Sequence, residues 1–286
     1  MRYLRILAIT LWGALATASL SAQEKYEMRY KDTVRTYTMF IPETVKEGSP
    51  LIVHTHGYGS KTRWREDLNE AAARRGYAVC YPDGAPDTKG KDGWFVDYPT
   101  QSNMDRHEEL FFAALLDEVC GRFGLSRDNV FMAGFSNGGD LCYQLAYTDP
   151  DLFKAYASVA GLTFKYAYDN FKLTEPVSFI EIHGNDDHTS MWGGDHLNTG
   201  GWGPYIPVPL AVAALAANNR CFSMETRSFP TLSDPGRMVN VTTYSDSPSG
   251  KDVVLYEVEG GPHSWHRKDL DTGEVICEFF ERAIKK

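Results

Sequence analysis

A serine between two glycines, in Gly134-Phe135-Ser136-Asn137-Gly138, follows an apolar stretch that predicts a strand over 129–133. Helical periodicity resumes directly afterwards, over 140–147. A side chain two residues before or after the serine would collide in a sharp strand-to-helix turn, so glycine fits both positions. The hydroxyl at the turn would project above a sheet at a helix N-terminus, where partial positive charge favours a developing oxyanion. The pattern is typical of a nucleophile elbow.

Two later strands end in loops that carry an acid and a base. The strand predicted over 177–182 is followed by an acidic pair ending in Asp187, and the strand over 253–258 is followed by a loop with His263. The chain order Ser, Asp, His is that of α/β-hydrolases, and loops after parallel strands meet at one edge of the sheet. We expect His263 to take the proton of Ser136 and Asp187 to orient the imidazole.

An oxyanion formed on such a serine needs two hydrogen-bond donors. The backbone N–H of Asn137, directly after the serine, is one candidate. The strand predicted over 51–55 is followed by His56-Gly57-Tyr58-Gly59, which stands where lipases and esterases carry a glycine motif. The sequence predicts the Tyr58 N–H as the second donor.

These motifs resemble the family of secreted esterases that includes polyhydroxybutyrate depolymerases and feruloyl or acetylxylan esterases, carbohydrate esterase family one. The resemblance runs through most of the chain after residue 22 and is carried by the elbow region over 134–161, the acid loop over 183–187 and the histidine loop over 260–265. It implies a catalytic triad of Ser136, Asp187 and His263.

The chain departs from the family pattern at several positions. Tyr58 stands where many relatives have a cysteine, which implies that one family disulfide is absent. Pro262 replaces a glycine before the histidine, and His266 replaces a proline after the tryptophan. Asp186 is an alternative triad acid if the loop is shifted by one residue.

Strand and helix patterns alternate along the chain, which predicts an α/β fold, the α/β-hydrolase fold, with a mostly parallel central sheet and helices on both faces. An antiparallel strand pair is expected at the N-terminal end, over 26–30 and 35–41. One catalytic domain over 23–286 is expected. Its helices are predicted over 66–75, over 104–123, from Pro207 or Pro209, and over 269–284.

The chain begins with Arg2, Arg5 and an apolar stretch that ends in small residues, which predicts a signal peptide over 1–22. The enzyme is therefore expected to be secreted or periplasmic and to leave the membrane after cleavage. Those residues hold two arginines and no acids, so the formal charge of −9 becomes −11 for the remainder. Such a charge argues against nucleic acid as a partner. An oxidising compartment permits a disulfide, and Cys221 with Cys277 is the candidate pair.

Two long segments interrupt the alternation, over 82–100 and over 188–207, and both are rich in glycine and aromatic residues. Long loops of this kind are commonly functional, and these are expected to surround Ser136. Their rings could stack on an aryl or sugar ring, although packing in a small satellite core explains any one tryptophan equally well. The candidate substrate-binding residues are His56, Trp94, Trp192, Trp202 and Trp265. The histidine spacings match no metal site, so neither a metal nor another cofactor is expected.

The sequence thus predicts a secreted serine carboxylesterase that hydrolyses ester decorations of plant cell-wall polysaccharide, with feruloyl groups first and acetyl groups second. One alternative is a depolymerase of polyhydroxybutyrate or hydroxyalkanoate oligomers. An alternative of another class is a non-catalytic, carbohydrate-binding relative. The oligomeric state is left open by the sequence.

Overall fold

A ten-stranded sheet organises the chain in the computed structural model, which describes residues 24–60 and 64–285. The strands are β1 (Glu24–Tyr30), β2 (Thr33–Phe40), β3 (Leu51–Thr55), β4 (Ala78–Pro82), β5 (Ala85–Pro86), β6 (Asp92–Gly93), β7 (Val130–Phe135), β8 (Ala155–Val159), β9 (Phe179–Gly184), β10 (Ser223–Pro230), β11 (Met238–Ser245) and β12 (Val253–Val258). They lie in the order β1-β2-β4-β3-β7-β8-β9-β12-β11-β10, and a separate two-stranded ribbon joins β5 to β6.

Six strands in the middle of the sheet run parallel, namely β4, β3, β7, β8, β9 and β12. Antiparallel strands lie at both edges. The predicted parallel centre and the antiparallel pair β1–β2 are confirmed. The hairpin β10–β11 at the opposite edge was not predicted. Most of its side chains are exposed or half-buried, so it lacks the apolar run that indicated the central strands.

Helices cover both faces and enclose two apolar cores. The helices are α1 (Glu66–Arg75), α2 (Glu108–Phe123), α3 (Asn137–Thr148), α4 (Lys165–Asn170), α5 (Val208–Asn218) and α6 (Thr272–Lys285). One core holds side chains of α2, α3 and α5, including Phe111, Leu115 and Val119, and the other holds side chains of α1 and α6. The second and last helices begin later than predicted. Turns occupy 101–107, and the Asp271 side chain accepts the Glu274 N–H to cap α6.

The two cores also explain why the candidate disulfide between Cys221 and Cys277 is wrong. Cys221 packs against the core of α2, α3 and α5, with its sulfur near the Lys251 carbonyl, whereas Cys277 is buried in the core of α1 and α6. The sheet separates the two thiols, so they cannot form a disulfide with each other.

The predicted signal peptide over 1–22 lies outside the described residues. Within 24–60 and 64–285, no helix has both the length and the apolar character needed to cross a membrane.

Candidate active site

The turn after β7 holds Ser136 in the conformation that its flanking glycines predicted. Its φ of 54° lies in the left-handed region, and α3 begins at the next residue. A β-carbon on Gly134 would lie 2.0 Å from the Gly138 carbonyl oxygen, and one on Gly138 would lie 2.3 Å from the Thr55 carbonyl oxygen. Both distances are far inside van der Waals contact, so the steric prediction for these two glycines is confirmed.

Three loops at the carboxyl ends of β7, β9 and β12 bring a serine, an acid and a base together. His263 Nε2 lies 2.9 Å from Ser136 Oγ, and His263 Nδ1 lies 2.7 Å from Asp187 Oδ2. Asp186 takes no part, because its side chain is 64% exposed and approaches His188 instead. The geometry therefore selects Asp187 of the two adjacent acids.

Asp187 is surrounded by donors that favour its carboxylate form. Its Oδ1 accepts the N–H groups of Thr189 and Ser190, at 2.7 and 2.8 Å. Burial opposes ionisation, but the hydrogen bond and charge of His263 outweigh it and lower the pKa of Asp187. A carboxylate at this position directs the Nδ1 proton of His263 toward itself and leaves Nε2 to accept from the serine.

A cavity of about 240 Å³ opens beside Ser136 and His263. Rings of Tyr58, Tyr98 and Trp202 form one wall, with centroids 5.2–5.7 Å apart. The remaining lining residues are Gly57, Ser60, Phe135, Leu162, Thr189 and Ser190. Both long loops contribute to this lining, so their expected position around the serine is confirmed.

The loop after β3 lies directly against the nucleophile. A β-carbon on Gly57 would be 3.2 Å from the Ser136 β-carbon. His56, the first residue of this loop, is buried, and its Nε2 accepts the Gly84 N–H at 3.0 Å while its Nδ1 donates to the Gly57 carbonyl at 2.8 Å. These bonds require the neutral Nδ1–H tautomer, and burial lowers the pKa of His56 accordingly.

Trp94 connects this loop to the elbow. Its indole N–H donates to the His56 carbonyl at 3.0 Å, and its backbone N–H and carbonyl bind the Asn137 side chain at 2.8 and 3.0 Å. The ring is fully buried. Trp94 thus braces the two segments that carry the predicted oxyanion donors, Tyr58 and Asn137, and does not face the cavity.

Of the five predicted substrate contacts, only Trp202 lines the cavity. The structure does not place the other four in the cavity, because each side chain packs or hydrogen-bonds elsewhere. Trp192 packs near the His183 ring, and Trp265 is buried with its indole N–H on Asp67. The residues that the cavity does not include are His56, Trp94, Trp192 and Trp265.

Sequence reasoning missed Tyr98 and Leu162. Tyr98 belongs to the aromatic loop over 82–100, in which the sequence points to the larger Trp94 instead. Leu162 follows β8, and no motif distinguishes it.

Among the described residues, no group of three or more His, Cys, Asp or Glu side chains is arranged to hold a metal ion.

The chain matches the family described as Esterase PHB depolymerase over residues 35–175. NocK of Nocardia uniformis subsp. tsuyamanensis is 29% identical over 233 residues, which cover 77% of this chain and 66% of NocK. Feruloyl esterase D of Neurospora crassa is 24% identical over 270 residues, which cover 87% of this chain and 82% of that enzyme.

The fold has solved counterparts. The acetyl xylan esterase from Aspergillus awamori superposes with a TM-score of 0.59 at 14% identity, covering 91% of this chain and 99% of that one. At this identity the likeness establishes the fold, the α/β-hydrolase fold with its mostly parallel sheet. The chain therefore has the α/β-hydrolase fold, and its sequence is similar to the esterase PHB depolymerases and to the feruloyl esterases.

Proposed function

We propose that the chain is a secreted serine carboxylesterase that hydrolyses ester decorations of plant cell-wall polysaccharide through an acyl-Ser136 intermediate. The observation that carries the proposal is the continuous hydrogen-bonded series from Ser136 Oγ through His263 to Asp187, with both bonds under 3 Å. A serine hydroxyl is too weak an acid to ionise unaided near neutral pH, so it needs an adjacent base.

The mechanism has two halves. In the first, His263 Nε2 takes the Ser136 proton as the oxygen attacks the ester carbonyl, and the resulting imidazolium protonates the departing alcohol. The Asn137 and Tyr58 N–H groups stabilise the oxyanion. In the second half, His263 activates a water that attacks the acyl-enzyme and releases the acid, while Asp187 stabilises the charged imidazole.

The aromatic wall supports an aryl acyl group. A feruloyl ring placed beside Trp202 and Tyr98 would find rings available for stacking, which adds about 0.5–1.5 kcal/mol to simple area burial. An acetyl group gains nothing from this wall, so feruloyl esters are the first expectation and acetyl esters the second.

The test compares methyl ferulate, feruloylated arabinoxylan, acetylated xylan and p-nitrophenyl acetate. Wild type should release ferulate from the first two, and Ser136→Ala should lose at least about a thousandfold in kcat. Trp202→Ala should raise KM for methyl ferulate about tenfold and change KM for p-nitrophenyl acetate less than twofold, since only the aryl ester uses the wall. Undiminished turnover by Ser136→Ala would overturn the mechanism.

The family match favours a second candidate, the hydrolysis of hydroxybutyrate oligomers. Release of soluble hydroxybutyrate, with no ferulate or acetate released in parallel incubations, would favour it over the first proposal. A non-catalytic, glycan-binding role would instead give glycan binding without labelling of Ser136 by a fluorophosphonate.

A further inference from the structure

A second buried histidine lies behind the acid of the Ser136 site. His183 is fully buried near the end of β9, and its Nδ1 lies 2.8 Å from Oε1 of Glu181, which is also fully buried. Its Nε2 lies 2.8 Å from the Ser190 carbonyl oxygen and 3.6 Å from Asp187 Oδ2. The proposed mechanism gives neither residue a role.

The contacts determine where the protons lie. A carbonyl oxygen only accepts, so Nε2 of His183 must carry a hydrogen. Nδ1 faces a carboxyl group, so one further proton is shared between His183 and Glu181, and the pair is neutral as a unit. Burial alone would lower the pKa of His183, but the hydrogen bond and charge of Glu181 raise it. The charged form of the ring, with Glu181 ionised, places positive charge beside Asp187.

Ser190 connects this pair to the triad acid through both of its backbone groups. Its carbonyl accepts from His183, and its N–H donates to Asp187 Oδ1 at 2.8 Å. These two hydrogen bonds hold the turn over 187–190 against His183, while Asp187 Oδ2 faces His263. Thr189 and Ser190 also line the cavity, so the same turn shapes one of its walls.

We propose that Glu181 and His183 form a positioning pair that holds the turn over 187–190 and thereby keeps Asp187 aligned with His263. The proposal rests on the esterase mechanism above and extends it by one layer of residues. In metal sites, removal of the outer residues that orient a metal ligand typically lowers metal affinity or activity by about 10–100-fold. A loss of activity of this order is expected here.

The experiment is a double-mutant cycle on kcat. His183→Leu alone leaves Glu181 buried without its partner and risks misfolding, so the principal variant is Glu181→Met/His183→Leu, which replaces both polar groups at similar volume. In the otherwise wild-type protein this pair variant should lower kcat about 10–100-fold. When it is combined with Asp187→Asn, it should lower kcat less than twofold further. This loss of additivity is expected only if the pair acts through Asp187.

Asn219→Ala is the matched control for lost stability. Asn219 is equally buried and hydrogen-bonds Val177 and Lys251, at the other end of the strands from the acid loop. Its variant should lower the unfolding midpoint and leave kcat within twofold of wild type. If the pair variant costs the same factor in both backgrounds, the pair is merely structural and the proposal is overturned.

A spectroscopic measurement decides the proposal without any substrate. The proton between His263 Nδ1 and Asp187 should give a low-field proton NMR resonance that disappears in Asp187→Asn. In Glu181→Met/His183→Leu the resonance should shift or broaden, and an unchanged resonance would overturn the proposal. If wild type hydrolyses no ester, the esterase proposal fails on its own, and the resonance still tests the positioning pair.

Discussion

Asp140 is a buried carboxyl four residues after Ser136. Its Oδ2 accepts the Tyr98 hydroxyl at 2.6 Å and its Oδ1 accepts the Leu162 N–H at 2.7 Å, so it positions two residues of the cavity wall. Burial raises the pKa of Asp140 from 3.8 to about 8, despite these two donors. Between about pH 4 and pH 8, Asp140 therefore keeps its proton in the folded protein, whereas the same side chain has lost its proton in the unfolded chain.

The sign of the pH effect follows from proton counts. Between these two pKa values the folded state binds more protons, so the free energy of unfolding should fall as pH rises, by about 1.4 kcal/mol per pH unit from this group. Asp140→Asn cannot ionise, so its unfolding free energy should lack that contribution. Urea titrations of both proteins at pH 5, 6 and 7 measure the difference in slope. Parallel slopes would contradict the raised pKa.

The proposed reacting residues were predictable individually because each occurs in a short motif with a steric or chemical reason. Gly134 and Gly138 indicate the turn, and a histidine and an acid after later strands indicate the loops. The sequence could not distinguish Asp186 from Asp187, since a one-residue change reverses which side chain faces inward. Contacts such as Tyr98 with Trp202 depend on loop conformations that no local pattern specifies.

At the level of elements, the loop after β3 and the elbow after β7 are coupled through Trp94. The indole N–H binds the His56 carbonyl on one side, and the backbone binds the Asn137 side chain on the other. The aromatic loops were predicted to provide substrate contacts, and the largest ring in the first loop provides this brace instead. Trp94 cannot contact a substrate because its ring is fully buried, and burial cannot be read from a single sequence.

Trp94→Phe should therefore act on kcat and not on KM. The substitution retains most of the packed ring and removes one donor, leaving the buried His56 carbonyl unsatisfied and the Tyr58 N–H less well placed. Loss of a whole oxyanion donor costs about 10²–10³ in kcat, so a loosened one should cost about tenfold. Steady-state kinetics on p-nitrophenyl acetate measure both constants.

Trp64→Phe is the control, because Trp64 packs on Phe40 and Tyr81 in the opposite core. It should leave both kinetic constants within about twofold of wild type while also removing an indole. Equal losses of kcat in the two variants, or a rise in KM alone for Trp94→Phe, would contradict the brace.

Across the whole molecule, the burial of side chains differs between the centre of the sheet and its edge at β10. The central strand β8 is completely buried, whereas seven of the eight side chains of β10 are exposed, including Met224 at 67%. Charged residues on the outer strand, Glu225 and Arg227, are a common protection of a sheet edge against further pairing. The central strands were predictable from their apolar runs for the same reason that they are stable.

This gradient predicts how the protein opens in the native state. Strands with few buried apolar contacts open locally, whereas fully buried strands exchange their amides only through global unfolding. Hydrogen exchange followed by mass spectrometry should show peptides over 223–230 exchanging at least about a hundredfold faster than peptides over 155–159, and added urea should accelerate mainly the latter. β12, which carries the His263 loop, lies two strands inward from β10, so opening at the edge should leave Ser136 labelling by a fluorophosphonate unchanged. Equal protection of the two strands would mean that the sheet opens as a single cooperative unit, and that the exposed hairpin is as firmly held as the strands that carry the site.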